Sequence, residues 1–271
     1  MTPHSTPKVT PHSPASAQDA LGVVCCGALA FVISSIAHEA VGHGGMALFT
    51  GAKITRLSSV LFSAAPAGSI VDAGGPLMNF LLAGGAAFLY RRKSSTSGYV
   101  HLLVVALIAI NLFWGFGYFI YSGITQKGDW GFLFEHAASA SIWRVTLVVV
   151  GVVGYARSAT AVRRMLLPFA QERCGEFPAR SLFRTSILLY IAAGATCCGA
   201  TLFYRGPVAP ALHESALESF GGFIGLATIA FRKIAETPTR SIIIPPNYLW
   251  RASTAVIVIA FTYTLGRGYF G

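Results

Sequence analysis

Residues 21–49 read LGVVCCGALAFVISSIAHEAVGHGGMALF, and this stretch decides the fold. It outlasts the roughly 20 apolar residues that a helix needs to cross the hydrocarbon core of a bilayer. Yet its second half carries one acid and two imidazoles, His38, Glu39 and His43. Similar apolar blocks recur at about 70–90, 99–121, 142–159, 185–204 and 249–265, with a shorter one at 219–231. The pattern predicts an all-α, polytopic transmembrane helix bundle of six or seven spans, the short block deciding between the two numbers. Between the first two blocks, GAKITRLSS (51–59) alternates Ile54 and Leu57 with β-forming neighbours. That alternation predicts a short membrane-associated β-hairpin after the first helix.

Composition agrees. The chain is 54% hydrophobic and 11% charged, against about 25% charged in soluble domains, and its mean hydropathy is +0.62. Its formal charge of +10 does not describe a nucleic-acid interface, because the Lys and Arg residues sit at the ends of apolar blocks, as basic residues do in short cytoplasmic loops. With seven spans and the N-terminus inside, 14 basic residues fall on inner segments and 6 elsewhere. His38, His43 and Asp129 then lie toward the outer face. Localisation is expected to be integral and multi-pass, in a bacterial inner membrane. Residues 1–19, rich in Pro, Ser, Thr and His, are expected to form a disordered tail, leaving 20–271 as one membrane domain. Cys25–Cys26 and Cys197–Cys198 read as small apolar residues, and Cys174 stands alone in a basic loop.

Glu39 is the acid that lies well inside an apolar block, where a charge costs on the order of 2.5–3.5 kcal/mol. Two flanking imidazoles offer a reason for it, since histidine is the side chain most used to ligate zinc. In H-E-x-x-H the two His share a helix face and the Glu serves as general base. Here the spacing is one residue longer, and five steps of an ideal helix turn by about 140°. A π-bulge would bring the rings back together, and Gly42 weakens the helix where one is needed. The other reading of the same residues is of polar groups packed between helices, with Glu39 protonated or paired to a histidine.

Two motifs carry a family resemblance. His38-Glu39 through His43, running into Gly-Ala-Lys-Ile-Thr-Arg (51–56), resembles the active-site helix and hairpin of the site-2 protease family of intramembrane zinc metalloproteases. Gly75-Pro76-Leu77-Met78-Asn79 is similar to that family's Gly-Pro-x-x-Asn helix. The likeness covers about residues 21–90. A stretched H-E-x-x-x-H also occurs in the dipeptidyl peptidase III family, which resembles this chain in nothing else.

The resemblance implies a zinc metalloendopeptidase that cleaves transmembrane segments of membrane-protein substrates within the lipid bilayer. It implies Zn2+ on His38 and His43, with Glu39 activating water and Asn79 holding the substrate or its carbonyl. Asn79 could equally make an interhelical hydrogen bond. It also implies a site facing the cytoplasm, opposite to the charge count.

A catalytic zinc needs a third protein ligand, and Asp129 in Gly128-Asp129-Trp130 is the candidate. Its rivals are Asp72, His101 and His136, and capping a short helix is the alternative use for Asp129. The expected mechanism has the substrate strand pairing with the 51–59 hairpin. Other classes remain open: an inactive protein of this fold, and a metal or proton transporter, which would need polar residues spread over more helices.

Overall fold

The computed structural model describes residues 18–66, 68–92, 97–134, 139–170, 178–229 and 242–271. The chain begins with α1 (Ala20–Thr50), whose middle stretch, Ile36–His43, is a π-helix. A hairpin follows, β1 (Lys53–Leu57) and β2 (Phe62–Ala65). Then come α2 (Ser69–Arg92), α3 (Gly98–Thr125), the short α4 (Asp129–Phe134), α5 (Ala140–Leu166) and α6 (Pro178–Thr201). The chain continues through α7 (Val208–Ala216), a π-turn at Leu217–Gly221 and α8 (Ile224–Thr228). It closes with α9 (Tyr248–Phe261) and β3 (Tyr269–Phe270).

Among the described residues six helices are long and apolar enough to cross a membrane: 20–50, 69–92, 98–125, 140–169, 179–201 and 248–266. These correspond to the six long apolar blocks. Two ends differ most: α5 runs on past the expected 159 through Arg163 and Arg164 to Leu166, and α6 begins at Pro178, ahead of the expected 185, taking in Arg180 and Arg184. Long basic side chains can extend from a helix end to the membrane surface, so they need not terminate the helix.

The short block resolves differently. The segment 208–228 is helix broken at Gly222 and Phe223 and is not among the six. Arg205 and Ile242, on either side of it, nevertheless lie at opposite ends of the bundle. At one end Arg205 donates its backbone N–H to Arg267 O, and at the other Ile242 donates to Pro168 O. Gln18 ties the same far end, donating to Phe169 O and Ile242 O. Among the described residues, six passages from end to end are made by long apolar helices.

Residues 1–17 of the expected tail lie outside the described residues, as do His136 and Cys174. Gln18 and Asp19, the last two residues of that tail, are anchored. Asp19 caps α1 through Gly22 N and forms an ion pair with Arg251 at 2.7 Å.

Helix α1 is central, packed on α6, α3 and α9. Its small residues allow the approach: a side chain at Gly27 would collide with the α6 backbone at Leu189. The outer helices differ. Val145, Val149, Val150, Val152 and Val153 of α5, with Val256, Ile257 and Ile259 of α9, face outward.

The hairpin has a third member that the sequence pattern did not signal. β1 pairs antiparallel with β2 on one side and with β3 on the other, Arg56 opposite Phe270 and Leu57 opposite Tyr269. The second edge of β1 is thus occupied at Arg56 and Leu57, and the outer edge of β2 has no partner strand among the described residues.

Candidate metal centre

The π-stretch of α1 supplies the local geometry. Its defining hydrogen bond runs from Gly44 N–H to Glu39 O, five residues back. That wider turn returns His38 and His43 to one face, with ring centroids 4.8 Å apart and Nε2 atoms 3.2 Å apart. Both rings are buried, and each is stacked: His38 on Trp114 at 4.7 Å, His43 on Phe62 at 5.3 Å. His43 Nδ1 lies 2.7 Å from Val71 O. A carbonyl can only accept, so Nδ1 carries a proton, and in the neutral ring Nε2 presents its lone pair.

Helix α2 makes room for these nitrogens by having no side chain where it meets them. A Cβ on Gly75 would collide with Nε2 of both histidines, and one on Gly42 would come within 2.6 Å of Gly74 O. The glycines are thus required by the close crossing of α1 and α2 at the donor atoms.

Asp129 completes the group. It opens α4, directly after the left-handed Gln126 and Gly128 that end α3. Its Oδ2 lies 3.4 Å from His38 Nε2 and 3.5 Å from His43 Nε2. Burial alone would push its carboxyl up, but the two imidazoles outweigh burial and hold it at about 2. Asp129 is therefore an anionic donor at neutral pH.

The three atoms form a nearly equilateral triangle with sides of 3.2, 3.4 and 3.5 Å. Tetrahedral bonds of about 2.0–2.1 Å, those of zinc to nitrogen and oxygen, would space donors by about 3.3–3.4 Å. Asp129 Oδ2 is buried and, among the described residues, has no partner in good hydrogen-bond geometry; the two imidazoles act on it from 3.4 and 3.5 Å. The residues present thus fit a divalent ion, and His38, His43 and Asp129 are the group that could hold one.

Glu39 is 2% exposed, and its Oε2 has no hydrogen-bond partner. Asn79 is fully buried on α2, one turn beyond Gly75, and neither of its amide atoms has a partner. Among the described residues, the alternative use of Asn79 as an interhelical hydrogen bond is therefore not seen. Of the rivals to Asp129, Asp72 lies within electrostatic reach of Asp129 and His43 but outside the donor group. His101 packs between Tyr90 and Phe169 at the opposite end of the bundle.

Sequence reasoning missed four residues here: Phe62, Trp114, Tyr118 and Glu218. Asn111, Trp114 and Tyr118 recur at helical spacing on the α3 face that meets α1. Asn111 donates to Ser34 Oγ at 2.7 Å, Trp114 stacks on His38, and Tyr118 stands edge-on to His38 at 6.1 Å. Within an apolar block, aromatic residues at that spacing look like any lipid-facing or core face. Glu218 is 6% exposed, so Glu39 is not alone as a buried acid; its signal was Glu214 and Glu218 at i, i+4 beside the short apolar block.

No protein-family model, no curated protein and no solved structure matches this chain.

Proposed function

We propose that this chain is an intramembrane zinc metallopeptidase of the site-2 protease type, with His38, His43 and Asp129 holding the ion and Glu39 moving the protons of hydrolysis. The reading rests on one observation above the others. Three donor atoms from two distant segments converge at tetrahedral spacing, and a buried carboxylate adjoins the first of them in sequence.

Bound there, zinc would polarise a peptide carbonyl and acidify a neighbouring water. Glu39 takes the proton of the attacking water and delivers it to the amine that leaves as the C–N bond breaks. Its unpartnered Oε2 and its burial suit that work, because a carboxylate shielded from bulk water keeps the proton within the site. Asn79, with both amide atoms uncommitted, donates to the substrate backbone beside the cleaved bond. Val71 fixes the tautomer of His43, and the Trp114 ring fixes the plane of His38, so the donor nitrogens stay aimed.

The substrate on this reading is a transmembrane segment of another membrane protein. A helical segment shields its peptide bonds by its own hydrogen bonds, so it must open first. The unpaired edge of β2 offers the replacement partner, by strand addition, and Phe62 of β2 stacks on His43. Substrates with helix-breaking residues near the cleaved bond are therefore expected to be preferred.

The test is metal analysis of purified protein beside a Glu39→Gln variant, with cleavage of a membrane-protein substrate as the second readout. About one zinc per chain is expected in both, with cleavage lost in the variant. Normal cleavage by Glu39→Gln would sink the proposed role of Glu39.

A further inference from the structure

The reaction leaves a second group of buried acids unused. Glu218, in the π-turn at Leu217–Gly221, accepts a hydrogen bond on Oε1 from Tyr118 OH at 2.7 Å, while its Oε2 is buried without a partner. Glu214 lies one turn earlier and is half-buried. Both line a cavity of about 360 Å³ between α3 and the 208–228 segment, together with Gly117, Tyr118, Tyr121 and Tyr155. No Lys or Arg is among its lining residues.

The chemistry of the lining selects a class of ligand. Two of the three tyrosine hydroxyls are committed: Tyr118 donates to Glu218, and Tyr155 donates to Gly222 O and accepts from Gly225 N. What remains to offer are carboxylate oxygens, the Tyr121 hydroxyl and aromatic ring faces, set among the apolar walls of Ile120, Leu217 and Ile224 that suit the alkyl stem of a cationic group. The polar groups can all accept, and with the ring faces they suit an alkylammonium or guanidinium group. An ionised carboxylate buried without a counter-charge is strongly disfavoured, and a bound cation supplies the charge.

The cavity also adjoins the donor triangle. Tyr118, which lines it, stands against the His38 ring, and Glu218 lies within electrostatic reach of Glu39. We propose that this cavity is a specificity subsite that takes a Lys or Arg side chain of the substrate close to the cleaved bond. The inference rests on the peptidase reading for its substrate, but the cation preference of the cavity stands independently.

Two measurements test it. The first uses the full chain carrying Glu39→Gln, so that nothing is turned over, titrated with n-butylammonium and with n-butanol by tyrosine and tryptophan fluorescence. Saturable binding of the ammonium, and not of the alcohol, is expected. Adding Glu218→Gln, which keeps an acceptor for Tyr118, should weaken it by about tenfold or more. Glu214→Gln, at a half-exposed position that threatens the fold less, should weaken it to a smaller degree.

The second compares cleavage of paired peptides bearing Lys or norleucine beside the cleaved bond. A kcat/KM ratio favouring Lys by about tenfold is expected to collapse toward one in Glu218→Gln. Cleavage with a flat ratio, or absence of ammonium binding, overturns the subsite and leaves the peptidase standing. Ammonium binding in a protein that cleaves no peptide supports the cation cavity and overturns the peptidase.

Discussion

Helices α1 and α5 are nearly equal in length and both long and apolar enough to span a membrane, yet they do opposite things. Most of α1 is buried, whereas most of α5 faces outward. Both carry glycines where a neighbour comes close, Gly27 against α6 and Gly151 and Gly154 against α3. Helix α1 is approached from several sides, by α2, α3, α6 and α9, whereas α5 packs chiefly on α3 and leaves a row of valines outward. Within lipid there is no hydrophobic force drawing one apolar helix onto another, so close packing of small residues and hydrogen bonds must do that work. The helix enclosed on several sides is accordingly the one that can carry buried ionisable groups.

The largest effect that would sharpen this contrast is expected at the crossing of α1 and α2. Gly75→Val drives a side chain into both Nε2 atoms, so zinc content should fall from about one per chain to near zero, with helical circular dichroism retained. Full zinc content in that variant would mean that the donors do not meet against Gly75.

Next in size is Asp129→Ala. Removing a second-shell partner costs metal affinity by about 10–100-fold, and loss of a direct ligand should exceed that. Competition with a chromogenic chelator reads the change. An affinity equal to that of the unaltered protein would return Asp129 to the role of a helix-capping residue.

The smallest effect belongs to α5. Val149→Ala removes apolar surface that faces outward and should alter stability in detergent by no more than about 0.5 kcal/mol, as surface substitutions do, with zinc content unchanged. A loss several times larger would show that a partner covers this face, and the contrast between the two helices would fail.

Much of this was legible because bilayer thickness fixes helix length. The six long helices follow from apolar blocks alone, and the π-distortion at 36–43 follows from requiring two imidazoles five residues apart to meet. Other features had no local signature. The strand at 269–270 is too short for any periodicity, and its place beside β1 is set by where the last helix ends. Trp114 and Tyr118 do their work through a tertiary contact, on a face that hydropathy cannot tell from a lipid-facing one. The 208–228 passage was ambiguous because its break at Gly222 and its two glutamates lower the apolar content below that of a span. Asp129 is the candidate from sequence, but its rivals Asp72, His101 and His136 can be weighed against it only in three dimensions, since sequence distance says nothing about which end of a bundle a residue occupies.

The central claim is that the side chains of His38, His43 and Asp129 surround one metal ion. Zinc-edge X-ray absorption on the purified protein tests it most directly. A first shell of nitrogen and oxygen alone at about 2.0–2.1 Å, with the outer-shell scattering of two imidazole rings, is the predicted spectrum. A sulfur scatterer from one of the cysteines, or a preparation that takes up no stoichiometric zinc, would contradict it.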